Sequence, residues 1–172
     1  MFKTLVIAAS VARAIATPAS AEVFEKHDDA FVLMFEAAVD RPPDAIIGAI
    51  GQLSQWWDSS HTYSGDADNL SLALMRDGCW CEAMPDGSMF EHGRVVTVTD
   101  SMVGINAPFG PLKGVATKSD LVLTWRVEQG VWTLRGIYVV RGPGTGAMAE
   151  PVDGVMQIQF DNLVRLIQSN AG

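Results

Sequence analysis

The apolar pattern of this chain changes period once, and that change restricts the fold more than any single motif does. In the first part, apolar and polar residues alternate. Phe31, Leu33, Phe35, Ala37 and Val39 share one face and Glu36 lies on the other, the mark of a strand with one wet side. From Ala149 to Ser169 the period becomes helical. Val152, Met156, Phe160, Leu163 and Ile167 fall near one face, and Val155, Ile158 and Leu166 widen it. A helix of about 20 residues spans about 30 Å, enough to cross a small sheet.

Between these two segments the sequence predicts further strands over residues 69–74, 78–84, 89–99, 102–106, 120–128 and 131–140. Pro85-Asp86-Gly87-Ser88 reads as a hairpin turn, because Asp-Gly suits the positive φ that such turns require. Pro42-Pro43-Asp44 opens a helical stretch over 45–57, with a break expected at Gly48 and Gly51, hence two short helices. Gly142–Gly146 reads as a flexible glycine stretch. One helix cannot cover six or seven flat strands. The sheet must curl around it, leaving space between its concave face and the helix.

At 172 residues the chain is one domain's length. Its formal net charge is −8 and it has no Lys/Arg cluster, which excludes the basic stripe a nucleic-acid binder needs. Lys3, the apolar run 5–12 and Ala19-Ser20-Ala21 read as a signal peptide over 1–21, cleaved after Ala21. Arg13 weakens that pattern, and an ordinary N-terminal helix is the alternative. With cleavage, residues 22–172 form a single periplasmic or secreted domain. No other apolar run approaches the roughly 20 residues of a membrane span, so an integral membrane protein is not expected.

No phosphate-binding loop, G-x-S-x-G or H-E-x-x-H motif occurs, and His27, His61 and His92 have no metal-pair spacing, so no cofactor or metal is expected. Cys79 and Cys81 lie two apart on a predicted strand. Regular strand geometry holds their sulfurs apart, which favours inert thiols over a strained disulfide or a metal site. Trp80 and Glu82 take the opposite face. Across the Asp86-Gly87 turn, Glu82 comes near His92 or Arg94. On the concave face such a cluster is the best acid–base candidate; on the convex face it is a solvated charge pair. The rarity of buried charge favours the convex face. His61-Thr62-Tyr63-Ser64-Gly65-Asp66 is either a polar rim to a site or a loop whose side chains satisfy one another, and turn chemistry favours the latter. Trp56, Trp57, Trp80, Trp125 and Tyr138 read first as core, and a core residue can also wall a pocket.

The run from Trp57 to Asp66, Cys79-Trp80-Cys81-Glu82 with Pro85-Asp86-Gly87, and Glu91-His92-x-Arg94-Val95-Val96 resemble a bacterial branch of the SRPBCC superfamily. Gly110-Pro111-Leu112 and Pro151-Val152-Asp153-x-Val155 fit as well, and the resemblance covers about residues 31–166. That superfamily includes START lipid-transfer domains, polyketide cyclases and the birch pollen allergen fold. The resemblance implies an α+β helix-grip fold: a curved antiparallel sheet of about seven strands on a long C-terminal helix, with two short helices after strand 1 and a deep apolar cavity. The segments 102–119 and 141–150 depart from the family pattern and are placed at the cavity mouth.

Three functions follow as expectations. The first is binding or transport of a small apolar molecule, lipid or polyketide-like. Trp56, Trp57, Trp80, Trp125 and Tyr138 would wall the cavity, with Met156 and Phe160 from the helix. The second is a cyclase- or hydrolase-like enzyme using Glu82, His92 or the His61–Tyr63 patch as acid and base. The third is a regulatory protein-interaction module with a filled interior.

Overall fold

The computed structural model describes residues 20–169. The expected signal peptide therefore lies outside the described residues, apart from Ser20 and Ala21. Eight strands form one antiparallel sheet: β1 (Ser20–His27), β2 (Ala30–Ala38), β3 (Leu70–Leu72), β4 (Cys79–Ala83), β5 (Met89–Thr99), β6 (Met102–Asn106), β7 (Lys118–Glu128) and β8 (Val131–Arg141). Their spatial order is β1-β2-β8-β7-β6-β5-β4-β3. Two α-helices complete the fold, α1 (Pro43–Gly51) and α2 (Ala149–Ser169). The architecture is the α+β helix-grip.

Alternation makes the strands. Phe31, Leu33, Phe35 and Ala37 of β2 are buried, as are Leu121, Leu123 and Trp125 of β7 and Leu134, Tyr138 and Val140 of β8. In α2 the buried positions are Met156, Gln159, Phe160, Leu163, Val164 and Ile167, at helical spacing. Helix α2 lies against β1, β2 and α1. Gln129 and Gly130 both take positive φ (51° and 85°), as a tight two-residue turn between β7 and β8 requires. Gly87 does the same at 84° in the β4–β5 turn, where Asp86 accepts the Ser88 N–H.

The sheet has one strand more than the pattern indicated. The alternating residues 31–37 lie in β2, and the stretch before them is a further strand, β1, that pairs with β2 as a hairpin at the sheet edge. Phe24, Glu25, Lys26 and His27 are all exposed, so β1 carries no alternating signal. Helix α1 runs unbroken through Gly48 to Gly51, and the second short helix is a 3-10 turn at Leu53–Gln55.

The glycine stretch is a packed corner rather than a free one. The Gly142 and Gly146 N–H groups donate to the Asp29 and Asp28 carbonyls, and the Gly144 N–H donates to the Asp29 carboxylate. A Cβ on Gly146 would sit 1.8 Å from the His27 carbonyl oxygen. Only glycine lets the chain entering α2 dock on the β1–β2 turn.

Most of the space between the concave face and α2 is filled. Phe160 stacks on Phe35 at 5.5 Å, over Gly136, where a Cβ would meet both rings at 3.3–3.5 Å. Gly146→Ala is expected to destabilise the protein by about 1–3 kcal/mol or more, because the obstacle is backbone. Urea unfolding measures it, and an unchanged midpoint would mean that this corner is not closed.

Candidate functional site

A cavity of about 490 Å³ opens at one end of the grip. Four segments wall it: Trp57 with His61, Thr62 and Tyr63 from the α1–β3 connection; His92 from β5; Phe109 to Leu112 between β6 and β7; and Pro151, Val152, Val155 and Met156 from the first turns of α2. The wall is apolar on the α2 and Phe109–Leu112 sides, and its polar groups gather along the edge formed by His61, Tyr63 and His92.

Glu82 builds that edge. It points inward beside Trp80, which is 1 % exposed, and Glu82 itself is 0 % exposed. Period two requires this once Trp80 is inside. The carboxylate accepts the backbone N–H groups of Tyr63 and Ser64, and His92 Nε2 lies 2.6 Å from its Oε2. One carboxylate thus fixes the 58–69 connection and the β5 histidine together. At the other end of that loop, the Asp58 N–H donates to Gln159 Oε1 on α2 at 2.7 Å.

A β-bulge sets the face of His92. Trp80 pairs with Gly93 but Cys81 pairs with Glu91, so His92 is the extra residue in β5. The bulge turns His92 inward to meet Glu82 and leaves Glu91 outside, where it pairs with Arg94. Gly93 permits it: a Cβ there would lie 2.5 Å from the Asn106 carbonyl oxygen. The convex-face reading of the Glu82 cluster is therefore corrected. The pair is buried, His92 rather than Arg94 is the partner, and His92 is only 7 % exposed.

The structure also corrects the reading of the cysteines. Cys79 and Cys81 are joined by a disulfide, with Cα atoms 5.4 Å apart. That is shorter than the about 6.6 Å spanned by two residues of a regular strand and close to the usual disulfide separation, and the pair lies beside the broken ladder at Trp80/Cys81.

Burial works to raise the Glu82 carboxyl, but the hydrogen bonds from Ser64, Tyr63 and His92 outweigh it and hold the group below its usual range. Burial pushes the His92 imidazole down, more strongly than the Glu82 hydrogen bond and charge raise it. An ionised carboxylate thus faces a neutral imidazole. A carboxylate only accepts, so Nε2 carries the proton and Nδ1 keeps a lone pair. Tyr63 stacks over the His92 ring at 5.4 Å, and Phe90 meets the ring edge-on.

Of the aromatic and helix residues considered from sequence, Trp57 and Met156 line the cavity. Trp56, Trp80, Trp125, Tyr138 and Phe160 are packed in the core away from its lining. The Trp125 indole donates to the Asp100 carbonyl. The Tyr138 hydroxyl donates to the Ala107 carbonyl at 2.6 Å, and burial raises its pKa. Sequence reasoning did not single out Phe109, Val152 or Val155 as wall residues. Phe109 lies in the 102–119 segment placed at the cavity mouth, and Val152 and Val155 lie in the Pro151-Val152-Asp153-x-Val155 motif of the family resemblance; the 141–150 segment, also placed at the mouth, contributes no lining residue. Among the described residues no helix is long and apolar enough to cross a membrane, and no three His, Cys, Asp or Glu side chains gather as a metal site.

Fold and site together describe a helix-grip protein with an apolar end cavity and a buried Glu–His pair in its wall. Solved structures share the fold. A protein from Rhizobium leguminosarum is 16 % identical with a TM-score of 0.58, covering 88 % of this chain and 99 % of its own. CalU16 from Micromonospora echinospora is 13 % identical (TM-score 0.55; 90 % and 86 % covered). The di-domain ARO/CYC StfQ from the steffimycin biosynthetic pathway is 11 % identical (TM-score 0.55), and the match spans 83 % of this chain and 50 % of StfQ. No family model and no curated protein matches the chain.

Both members of the buried pair bind protons less readily folded than unfolded. Their stabilisation is complete above the unfolded pKa and is lost as pH falls through the folded one. Stability is therefore expected to decline as pH drops below about 6.5, through His92, and further below about 4.3, through Glu82. Glu82→Ala should cost about 3 kcal/mol or more at neutral pH and flatten the lower step. Urea titrations of both proteins across pH read this out, and equal stabilities would refute the role given to Glu82.

Proposed function

We propose that this protein belongs to the SRPBCC superfamily and that it binds a small, mainly apolar molecule in the end cavity. The observation that carries the reading is the cavity itself. About 490 Å³ lies within the range of small-molecule sites, roughly 300–1,000 Å³, with mostly apolar walls and a few placed polar groups. The fold shared with CalU16 and StfQ is compatible with this reading. A regulatory module with a filled interior agrees less well with so open a space. Affinity would come from apolar contact at about 25 cal/mol per Å², less the cost of association.

Val155→Trp places an indole in the cavity without touching the Glu82–His92 pair. It is expected to weaken binding of an apolar fluorophore such as N-phenyl-1-naphthylamine about tenfold or more. Trp125→Phe, remote from the lining, should leave binding unchanged. No fluorophore binding to the native protein, with nothing apolar extracted from it by organic solvent, would defeat the proposal.

A specific observation also favours an acid–base reading. His92 is neutral, oriented by a carboxylate and set in the wall, the arrangement of a general base. In that reading a cyclase- or hydrolase-like step would draw on His92 and Glu82, with His61 and Tyr63 at the rim.

Export remains part of the proposal. Disulfides persist in oxidising compartments, so the Cys79–Cys81 bond supports a periplasmic or secreted location. Cleavage after Ala21 would remove Ser20 and Ala21 from β1 and leave the rest of the strand. N-terminal sequencing of the expressed protein should then begin at Glu22, and an intact Met1 would remove the export reading.

A further inference from the structure

We propose that the cavity selects neutral ligands bearing a hydroxyl group, whose O–H donates to Nδ1 of His92, over the ether or carboxylate of the same skeleton. The inference rests on the ligand-binding reading and adds to it the chemical group that the wall recognises.

The proton count comes first. Glu82 Oε2 accepts from His92 Nε2, so the imidazole turns an acceptor, Nδ1, away from the carboxylate. No described residue hydrogen-bonds Nδ1. Among the described residues, the sealed side-chain atoms without a partner are Arg41 Nε, Asp153 Oδ1 and Gln159 Nε2, and Nδ1 is not one of them. The ring belongs to the cavity wall. Nδ1 is therefore a buried-site acceptor left for something that enters.

The other polar groups of the wall are engaged or wet. The Trp57 indole N–H donates to the His61 carbonyl, the Thr62 hydroxyl to the Ser59 carbonyl, and His61 Nδ1 meets the Ser60 hydroxyl. The His61 side chain is 30 % exposed and Tyr63 as a residue 52 %, so water competes there. His92, at 7 %, is the sheltered one.

Charge sets the second half of the preference. A ligand carboxylate at Nδ1 would bring a second anion to a ring whose far side already touches ionised Glu82. The neighbouring cation, Lys113, donates to the Glu91 carbonyl and lies over the Phe90 ring at 4.5 Å, outside the lining. An ether at Nδ1 would set two lone pairs face to face and leave the acceptor unpaired. A neutral hydroxyl satisfies both demands.

Three probes of one skeleton test this by calorimetry on the native protein at neutral pH: 2-naphthol, 2-methoxynaphthalene and 2-naphthoate. Naphthol should bind about fivefold or more tighter than the ether, the discrimination of one buried hydrogen bond, and naphthoate should be the weakest. His92→Phe should reduce naphthol to the level of the ether while the ether is unaffected. The Nδ1 nitrogen resonance of His92 should shift with naphthol and not with the ether. If His92→Phe fails to fold, the native ranking and the resonance decide alone. Fluorophore binding with no advantage for naphthol, or with a preference for naphthoate, would overturn this inference and leave the cavity reading standing. Loss of the fluorophore and all three probes would overturn both.

Discussion

A carboxylate with no exposure to water governs the functional end of this molecule. Glu82 remains charged because two backbone N–H groups and one imidazole N–H replace the water it lost. The donors come from two places in the sequence, the 58–69 connection and β5, so satisfying one group positions a loop, a strand and a ring together. The 58–69 connection has no sheet to hold it; side chains within it satisfy one another, as Asp58 with Ser60 and Ser59 with the Ala67 N–H do, and Glu82 and Gln159 anchor it to the sheet and to α2. A buried hydrophobic residue at this position would fill the same space and organise nothing.

The second constraint is how the grip is filled. The resemblance implied a deep hollow between sheet and helix, yet the middle of that space holds Phe35, Phe160 and the residues around them. Gly136 is what lets the two rings settle on the sheet. Toward one end, Trp57 and Phe109 line the cavity, and Trp80 packs edge to face behind both at 4.8 and 4.7 Å. The open volume is thus confined to where α2 begins and the loops converge. Sheet and helix supply the frame and, through His92 and residues 151–156, part of the cavity wall; the segments around residues 57–63 and 109–112 supply the rest.

Most of the frame was readable from apolar periodicity, because burying one face of a strand or helix forces a repeat into the sequence. Strands β5 and β6 and helix α2 fall at the boundaries that the pattern marks. Strand β1 does not, since an exposed edge strand has no buried face to impose a repeat. The site was harder to read. Trp80 and Glu82 must share a face, and a tryptophan there belongs inside, but the general rarity of buried charge argued the other way. Local alternation was the stronger rule, because the partners that made burial affordable were already in the sequence as the backbone of Tyr63 and Ser64.

The partner that Glu82 meets is set by the extra residue that β5 inserts opposite Trp80 and Cys81. In an unbroken ladder, the pairing of Trp80 with Gly93 would continue to Glu82 with Glu91, two carboxylates directly opposed on the inner face. The bulge moves Glu91 outward to Arg94 and brings His92 into its place, converting a repulsive pair into a hydrogen-bonded one. On the other face of β4, beside the same interruption, Cys79 and Cys81 are joined by their disulfide. The disulfide and the Glu82–His92 pair thus lie on the outer and inner faces of β4 at one bulge. The residue that reveals it is Gly93, because only a glycine could pass so close to the Asn106 carbonyl. A glycine directly after a histidine, inside an otherwise regular strand, was the signal that the alternation would slip there and that the histidine would change sides.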